Sequence, residues 1–236
     1  MKSKQTMFEE DMPCANASKT ILTEYQVDPA SRNEWLDHWR SSTLDAIDSA
    51  THVSAQEAAL SDENDSSLLI YERHIAGSST TRPYQPASAN GQVSAMQIEC
   101  HDIVGFGWWS RNLIGSQQAQ LNLSMMCIRF PDEGHLQGFI KLSQNHAAYC
   151  WEAEPDTVIY SAGIVTSYSE SDLDIESGDI IFIMGCTDEA AVQKHLEDPK
   201  HVALGYQLYD ADIRLTPTLT KSYKTCGDGF FYKPST

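Results

Sequence analysis

The strongest constraint on this chain is an order of apolar patterns that occurs twice. Ile21–Val27 alternates apolar and polar residues, which indicates a strand, and Asp28 with Pro29 ends that strand and opens an amphipathic helix. Two further strand patterns follow, Thr51–Leu60 and Ser67–His74, separated by a polar hairpin loop. The first unit therefore has the order strand, helix, strand, strand.

The same order returns about a hundred residues later. Strand patterns cover Leu121–Phe130, Thr157–Val165 and Asp179–Gly185, and a helix with one apolar stripe lies between the first two. A second helix follows, with Thr187 as its expected cap, and Ile213–Tyr223 is the expected closing strand. An internal duplication with a degenerate first copy explains this repetition.

Composition divides the chain into three parts. Residues 1–18 lack the apolar run of a secretory signal and have the composition of a disordered leader. Residues 76–92 are rich in Ser, Thr, Pro, Gly and Asn, which is typical of a linker or a long surface loop. We therefore expect a first module with its linker over 19–92, and a second module with its C-terminal strand over 93–236.

The second unit carries a likeness to a known family in the runs GHLQGFIKLSQNHAAYCWEAEPDTVIYSAGIV and GDIIFIMGCTDEAAVQKHLEDPKHVALG. Its last helix reads EAAVQKHLEDPKH, from Glu189 through His195 and Pro199 to His201, which is the pattern EAxxxHLxxPxH with one residue more before the first histidine. Over about 90 residues, Asn122–Tyr209, it resembles the antibiotic biosynthesis monooxygenase (ABM) family of the dimeric α/β-barrel superfamily.

That resemblance implies an α+β fold of two ferredoxin-like modules of the β-α-β-β-α-β type, in a dimeric-α/β-barrel-like arrangement. It further implies that two sheets pack together and enclose an apolar pocket. The sequence leaves open whether the two modules pair within one chain or between the chains of a homodimer.

Charge and cysteine spacing exclude several classes of partner. The net charge of −17, from 33 acids against 16 bases, repels nucleic acid and anionic membrane surfaces. The six cysteines are widely spaced without a CxxC pair, which argues against a zinc site and against a redox dithiol. We expect reduced cysteines in a cytoplasmic protein, with no metal and no cofactor.

The resemblance predicts a fold but does not predict a single function. The superfamily includes cofactor-independent oxygenases, haem-degrading enzymes, polyketide cyclases and proteins without a known activity. The leading expectation is a cofactor-independent monooxygenase acting on an aromatic polyketide or a similar phenolic secondary metabolite. The alternatives are a cofactor-free cyclase or isomerase, and a non-catalytic small-molecule-binding barrel protein.

An oxygenase without a cofactor needs a general base beside an aromatic-lined cavity. His146 lies on the flank of a helical stripe with Ser143 and Cys150, so it is a candidate base, with a hydrogen-bonded core histidine as the alternative. His195 and His201 are weaker candidates, because their spacing also fits a structural role at the end of their helix.

The segment Glu99–Asn112 concentrates aromatic and charged residues around two glycines. It makes His101 a second catalytic candidate and makes Trp108, Trp109 and Arg111 candidates for substrate binding at the mouth of a pocket. The alternative is an aromatic plug that closes the core between the modules.

Three residues on predicted strands are candidates to bind a phenolate oxygen. Tyr71 and Arg73 share one strand face of the first unit, and Tyr160 lies in the corresponding region of the second. A half-exposed strand face explains them equally well.

Overall fold

Eight antiparallel strands of this chain hydrogen-bond side by side into one closed barrel. The structure is a computed structural model and describes residues 18–49, 53–75, 94–108, 120–169 and 173–227. The predicted leader up to residue 17 and the predicted linker 76–92 lie outside the described residues. Within the described ranges, no helix is long and apolar enough to cross a bilayer.

Among its described residues, the first half of the barrel carries one helix on its outer face. Trp35, Leu36 and Trp39 of that helix are buried against the sheet. Asp28 forms a turn just before this helix, because its carboxylate accepts a hydrogen bond of 2.9 Å from the backbone N–H of Ala30. The elements of this half are β1 (Ser18–Gln26), α1 (Arg32–Ser49), β2 (Val53–Ser61), β3 (Ser67–Ile75) and β4 (Ser94–Trp108).

The second half carries three helices on its outer face. Its elements are β5 (Asn122–Arg129), α2 (Glu133–Ala153), β6 (Thr157–Tyr168), β7 (Ile180–Cys186), α3 (Glu189–Glu197), α4 (Pro199–Asp210) and β8 (Thr216–Thr225).

Aspartates begin the helices of the second half. The predicted cap Thr187 is wrong by one residue, because the carboxylate of Asp188 accepts the N–H of Ala191 at 2.8 Å. Asp198 ends α3 as predicted, but it also caps α4 by accepting the N–H of Lys200 at 2.7 Å. The chain therefore turns sharply at one residue and continues as a further helix that the sequence pattern did not separate.

Both halves have the same strand order. The first sheet reads β2-β3-β1-β4 and the second reads β6-β7-β5-β8, each antiparallel throughout. The predicted α+β fold of two ferredoxin-like modules is therefore confirmed. The origin of the halves in a tandem duplication stays a prediction.

Strand pairing assigns β4 to the first half, since β4 runs along β1 and occupies the position that β8 has in the second half. The sequence-based division at residues 92 and 93 separated this strand from its sheet. The predicted domain boundaries stay a prediction, and we propose that the first module extends through residue 108.

Two pairings join the halves within one chain. β4 pairs with β6 from Ile98 opposite Tyr168 to Trp108 opposite Tyr160. β2 pairs with β8 over three residue pairs that begin with Ala59 opposite Thr225. The question that the sequence left open is thus answered for this chain: the two modules close the barrel without a second chain.

The barrel interior is filled by side chains. A cluster of buried apolar residues contributed by both sheets occupies it, including Leu22, Tyr71, Met125 and Ile183. Among the described residues, the cavity beside Thr20 has a volume of about 10 Å³, too small for an aromatic molecule. This cavity is therefore too small to be the apolar pocket that was expected between the sheets.

A wide bulge interrupts β4 where it runs beside β6. Asp102 lies opposite Gly163, and Gly107 lies opposite Ser161, so the four residues 103–106 of β4 face the single residue Ala162 of β6 and three of them are extra. Such an insertion changes which residues of the strand face the interior.

The bulge moves Trp108 out of the barrel and under the helices. Cys100 belongs to the interior cluster, and Trp108 is an even number of residues away, so a regular strand would place both inside. Trp108 instead lies in the cluster beneath α2. Gly105 and Gly107 make the turn possible, with φ angles of +73° and +79° that L side chains rarely adopt.

We predict that Gly107→Ala destabilises the fold by roughly 3–5 kcal/mol, since strain at positive φ adds to overpacking. The added Cβ would lie 1.8 Å from the carbonyl oxygen of Tyr160. Gly178→Ala is the matched control, because Gly178 has a φ of +97° with no atom within 4 Å of an added Cβ. Urea unfolding of both variants tests this, and equal losses of stability would contradict the role of the bulge.

Candidate functional site

The layer between the second sheet and its helices holds polar side chains among apolar ones. The buried face of α2 includes His146 and Cys150, one helical turn apart, in line with apolar residues such as Phe139 and Ala147. Both polar side chains therefore face the sheet. They lie in an otherwise apolar region that also contains Tyr160 of β6.

Three histidines from three helices meet in this layer, and we call them the imidazole cluster: His146 of α2, His195 of α3 and His201 of α4. His146 Nε2 lies 3.4 Å from His201 Nδ1. The ring centres are 5.6 Å apart for His146 and His195, 5.3 Å for His146 and His201, and 4.5 Å for His195 and His201. His146 and His195 are buried, whereas His201 is half-buried and meets solvent.

A buried carboxylate holds His195. Glu154, at the C-terminal end of α2, places Oε2 at 2.7 Å from His195 Nδ1 and also accepts a hydrogen bond of 3.1 Å from the Thr157 hydroxyl. Burial opposes the charge of Glu154, but these hydrogen bonds and the attraction of His195 lower the pKa of its carboxyl below the usual value. Because an ionised carboxylate only accepts, the network places a proton on Nδ1 of His195.

Burial keeps two members of the cluster neutral. Desolvation, followed by repulsion from His195 and His201, lowers the pKa of His146 to about 4. The same two causes, desolvation and the neighbouring His195, lower the pKa of His201. Cys150 Sγ lies 3.3 Å from His146 Nε2, and burial raises the pKa of this thiol, which therefore stays protonated.

Aromatic rings form the wall beside the imidazole cluster. Trp108 and Tyr160 stack with ring centres 5.3 Å apart, and Trp151 meets Trp108 edge-on at 5.1 Å. The ring of Tyr160 also lies 6.0 Å from that of His195 and 4.8 Å from that of Phe182. Trp108 is fixed by a hydrogen bond of 3.1 Å from its indole N–H to the Thr157 carbonyl.

The structure brings three of the sequence-predicted site residues together: His146, Trp108 and Tyr160 lie in this one layer. Trp109 and Arg111 lie outside the described residues. The roles of all five residues in catalysis or binding stay predictions.

The other predicted residues lie elsewhere. His101 is exposed on the outer side of β4, facing away from the interior residue Cys100. Tyr71 is buried inside the barrel, and Arg73 shares its strand face. The structure therefore does not place His101, Tyr71 and Arg73 with His146, and their predicted roles stay untested.

Arg73 is engaged in a buried ion pair at one end of the barrel interior. Its Nε lies 3.0 Å from Asp102 Oδ2, and its Nη2 donates to the Ser18 hydroxyl at 2.5 Å. Asp102 also accepts from the hydroxyls of Ser18 and Thr20. Since a buried ion pair costs stability when one partner is removed, this contact gives Arg73 a structural role.

Sequence reasoning did not place His195 and His201 beside His146, and it gave no role to Glu154. The sequence feature that could have indicated their position is Asp198. This residue ends one short helix and begins the next, so that both histidines approach α2. Glu154 gave no signal, because a glutamate at the end of a helix is usually exposed.

The sequence matches no family model and no curated protein. Solved structures do share the fold. A candidate monooxygenase from Lactobacillus acidophilus NCFM matches with a TM-score of 0.65 and 11% identity, over 94% of this chain and 99% of that chain.

Two further solved structures are similar. A candidate monooxygenase from Fusobacterium nucleatum subsp. nucleatum has a TM-score of 0.59 and 9% identity, over 89% of this chain and 92% of that chain. An anthrone oxidase-like protein has a TM-score of 0.56 and 12% identity, over 90% of this chain and 92% of that chain. At these identities the likeness shows the fold, in agreement with the ferredoxin-like modules described above.

The lowered pKa of His146 predicts a loss of stability in acid. The unfolded chain binds this proton near pH 6.5 and the folded chain near pH 4. Stability present above pH 6.5 is therefore lost as the pH falls toward about 4, by up to about 1.4 kcal/mol for each pH unit. We expect His146→Gln to flatten this dependence in urea unfolding, and His101→Gln, which changes an exposed histidine on β4, to retain it. Equal slopes for wild type and His146→Gln would contradict the assignment.

Proposed function

We propose that this chain is a cofactor-independent monooxygenase that acts on an aromatic polyketide or a similar phenolic small molecule. The observation that carries the proposal is the buried pair of Glu154 and His195, 2.7 Å apart beside an aromatic wall. A carboxylate that orients an imidazole is an arrangement suited to removing a proton.

The reaction needs little beyond a base and a dry aromatic site. His195 Nε2 takes a proton from an electron-rich phenol or anthrone, and Glu154 stabilises the imidazolium that forms. The substrate anion supplies the electrons that reduce O₂, so that one oxygen atom enters the ring and the other leaves as water. Exclusion of water around the anion favours this transfer.

The aromatic wall supports substrate binding. Trp108 and Tyr160 are buried, and a planar ring system would stack on them once α4 is displaced. Burial raises the pKa of Tyr160 well above 10, so its hydroxyl stays protonated and suited to donating to a phenolate oxygen. His146, whose lowered pKa makes it a weak base, lies beside His195 with ring centres 5.6 Å apart.

Helix α4 is the proposed entrance for the substrate. It carries His201, and none of its residues is fully buried. Its displacement would therefore expose less apolar surface than displacement of α2, which has seven buried residues.

Three similar structures support the reaction class. The Lactobacillus acidophilus and Fusobacterium nucleatum structures are described as candidate monooxygenases, and the third similar structure as anthrone oxidase-like. An anthrone is an electron-rich aromatic of the kind that the proposed chemistry requires.

The proposal also concerns the cellular compartment of the protein and the partners that it binds. The five described cysteines are free thiols, which fits a reducing cytoplasm. The net charge of −17 disfavours nucleic acid as a partner. A homodimer of closed barrels remains compatible with the proposal but is not needed to complete the site.

We expect the purified protein to consume one O₂ for each anthrone probe molecule converted to the quinone, measured with an oxygen electrode and by chromatography. Glu154→Gln and His195→Gln should each lower kcat by about 100- to 10,000-fold, because both disable the oriented base. The matched control is Glu152→Gln, which changes an exposed glutamate two residues from Glu154.

Three outcomes are decisive. Product formation without oxygen uptake would replace the oxygenase by a cyclase or isomerase. Undiminished turnover in both site variants would remove the Glu154–His195 pair from catalysis. Binding of aromatic probes with no turnover across a broad panel would favour the non-catalytic binding protein.

A further inference from the structure

The imidazole cluster has the geometry of a metal site. We infer that His146, His195 and His201 together bind one divalent transition-metal ion, with Zn²⁺ as a representative. One potential ligand atom from each of the three residues lies within 4.8 Å of the other two. This inference departs from the expectation of no metal, which rested on the spacing of the cysteines.

The distances fit one ion held by three rings. Two nitrogens bound to a tetrahedral zinc at about 2.0–2.1 Å are roughly 3.3–3.4 Å apart. His146 Nε2 and His201 Nδ1 are 3.4 Å apart. Three such ligand rings would have centres roughly 5 Å apart, and the observed separations are 4.5, 5.3 and 5.6 Å.

A hydrogen bond between His146 and His201 would explain only why these two rings lie close together. It does not explain why the ring of His195 approaches both of the others, most closely that of His201. Convergence of three imidazoles from three helices is the arrangement that a transition-metal site requires.

Glu154 supplies a second, independent observation. A metal-binding histidine usually donates its other ring N–H to a carboxylate, which fixes the tautomer and orients the ring. The 2.7 Å contact between Glu154 Oε2 and His195 Nδ1 has this form and leaves Nε2 of His195 for the ion.

The site also has an entry path. His201 is half-buried, whereas His146 and His195 are buried, so an ion can reach the rings from the α4 side. With three protein ligands, a fourth position stays open to water.

Metal binding and the proposed oxygenase reaction compete for one atom. The ion takes the Nε2 lone pair of His195, so we expect Zn²⁺ to inhibit oxygen uptake. This inhibition rests on the proposed function, whereas binding of the ion does not.

The test is isothermal titration of ZnCl₂ into the full chain after treatment with a chelator, without tag histidines and without substrate. We expect one Zn²⁺ for each chain, and a visible Co²⁺ spectrum of tetrahedral type in a parallel titration. His201→Ala should weaken binding by at least about 100-fold, and Glu154→Gln, which acts through His195, by about 10- to 100-fold.

His38→Ala is the matched control, since His38 is an exposed histidine on α1 of the other half, and it should bind as the wild type does. Circular dichroism melts show that each variant is folded before titration. Absence of stoichiometric binding by the wild type, or equal binding by wild type and a folded His201→Ala, would overturn the metal site. Stoichiometric binding without inhibition supports the metal site and counts against His195 as the base of the proposed reaction.

Discussion

Barrel closure by two pairings, β4 with β6 and β2 with β8, governs the rest of this structure. Each ferredoxin-like half alone would expose two edge strands whose backbone groups need partners. The other half of the same chain supplies those partners. Closure brings the two inner sheet faces together, and their side chains pack the interior. The outer faces are then covered by helices, and the second of these two layers holds the imidazole cluster.

Two local features bring the site residues into that layer. The bulge in β4 turns Trp108 from the interior to the face beneath α2, where it stacks on Tyr160. The break at Asp198 lets one acidic residue end α3 and cap α4, which directs His195 and His201 toward the same helix. Both features depend on a few residues whose backbone preferences differ from those of their neighbours.

The fold could be predicted from the sequence because strand and helix periodicities are local and strong, as Ile21–Val27 and the stripe of α2 illustrate. The site could be predicted only in part. His146 could be predicted because it lies on the buried stripe of a helix. The side of the sheet on which Trp108 lies could not, because it depends on a bulge that the alternation of apolar and polar residues does not reveal. Arg73 lies on β3 and Asp102 on β4, and β1 lies between these two strands in the sheet. Their contact therefore depends on the register of three strands.

The union of both modules in one chain has a consequence for symmetry. Two identical chains in a barrel of this kind would necessarily present every site twice, and any substitution would change both copies together. Here each half can diverge separately, and among the described residues a three-histidine cluster occurs in the second half, whereas tryptophans and aliphatic residues pack under α1 in the first. A ligand of the imidazole cluster should therefore bind once for each closed barrel, while the opposite layer is free to serve stability alone.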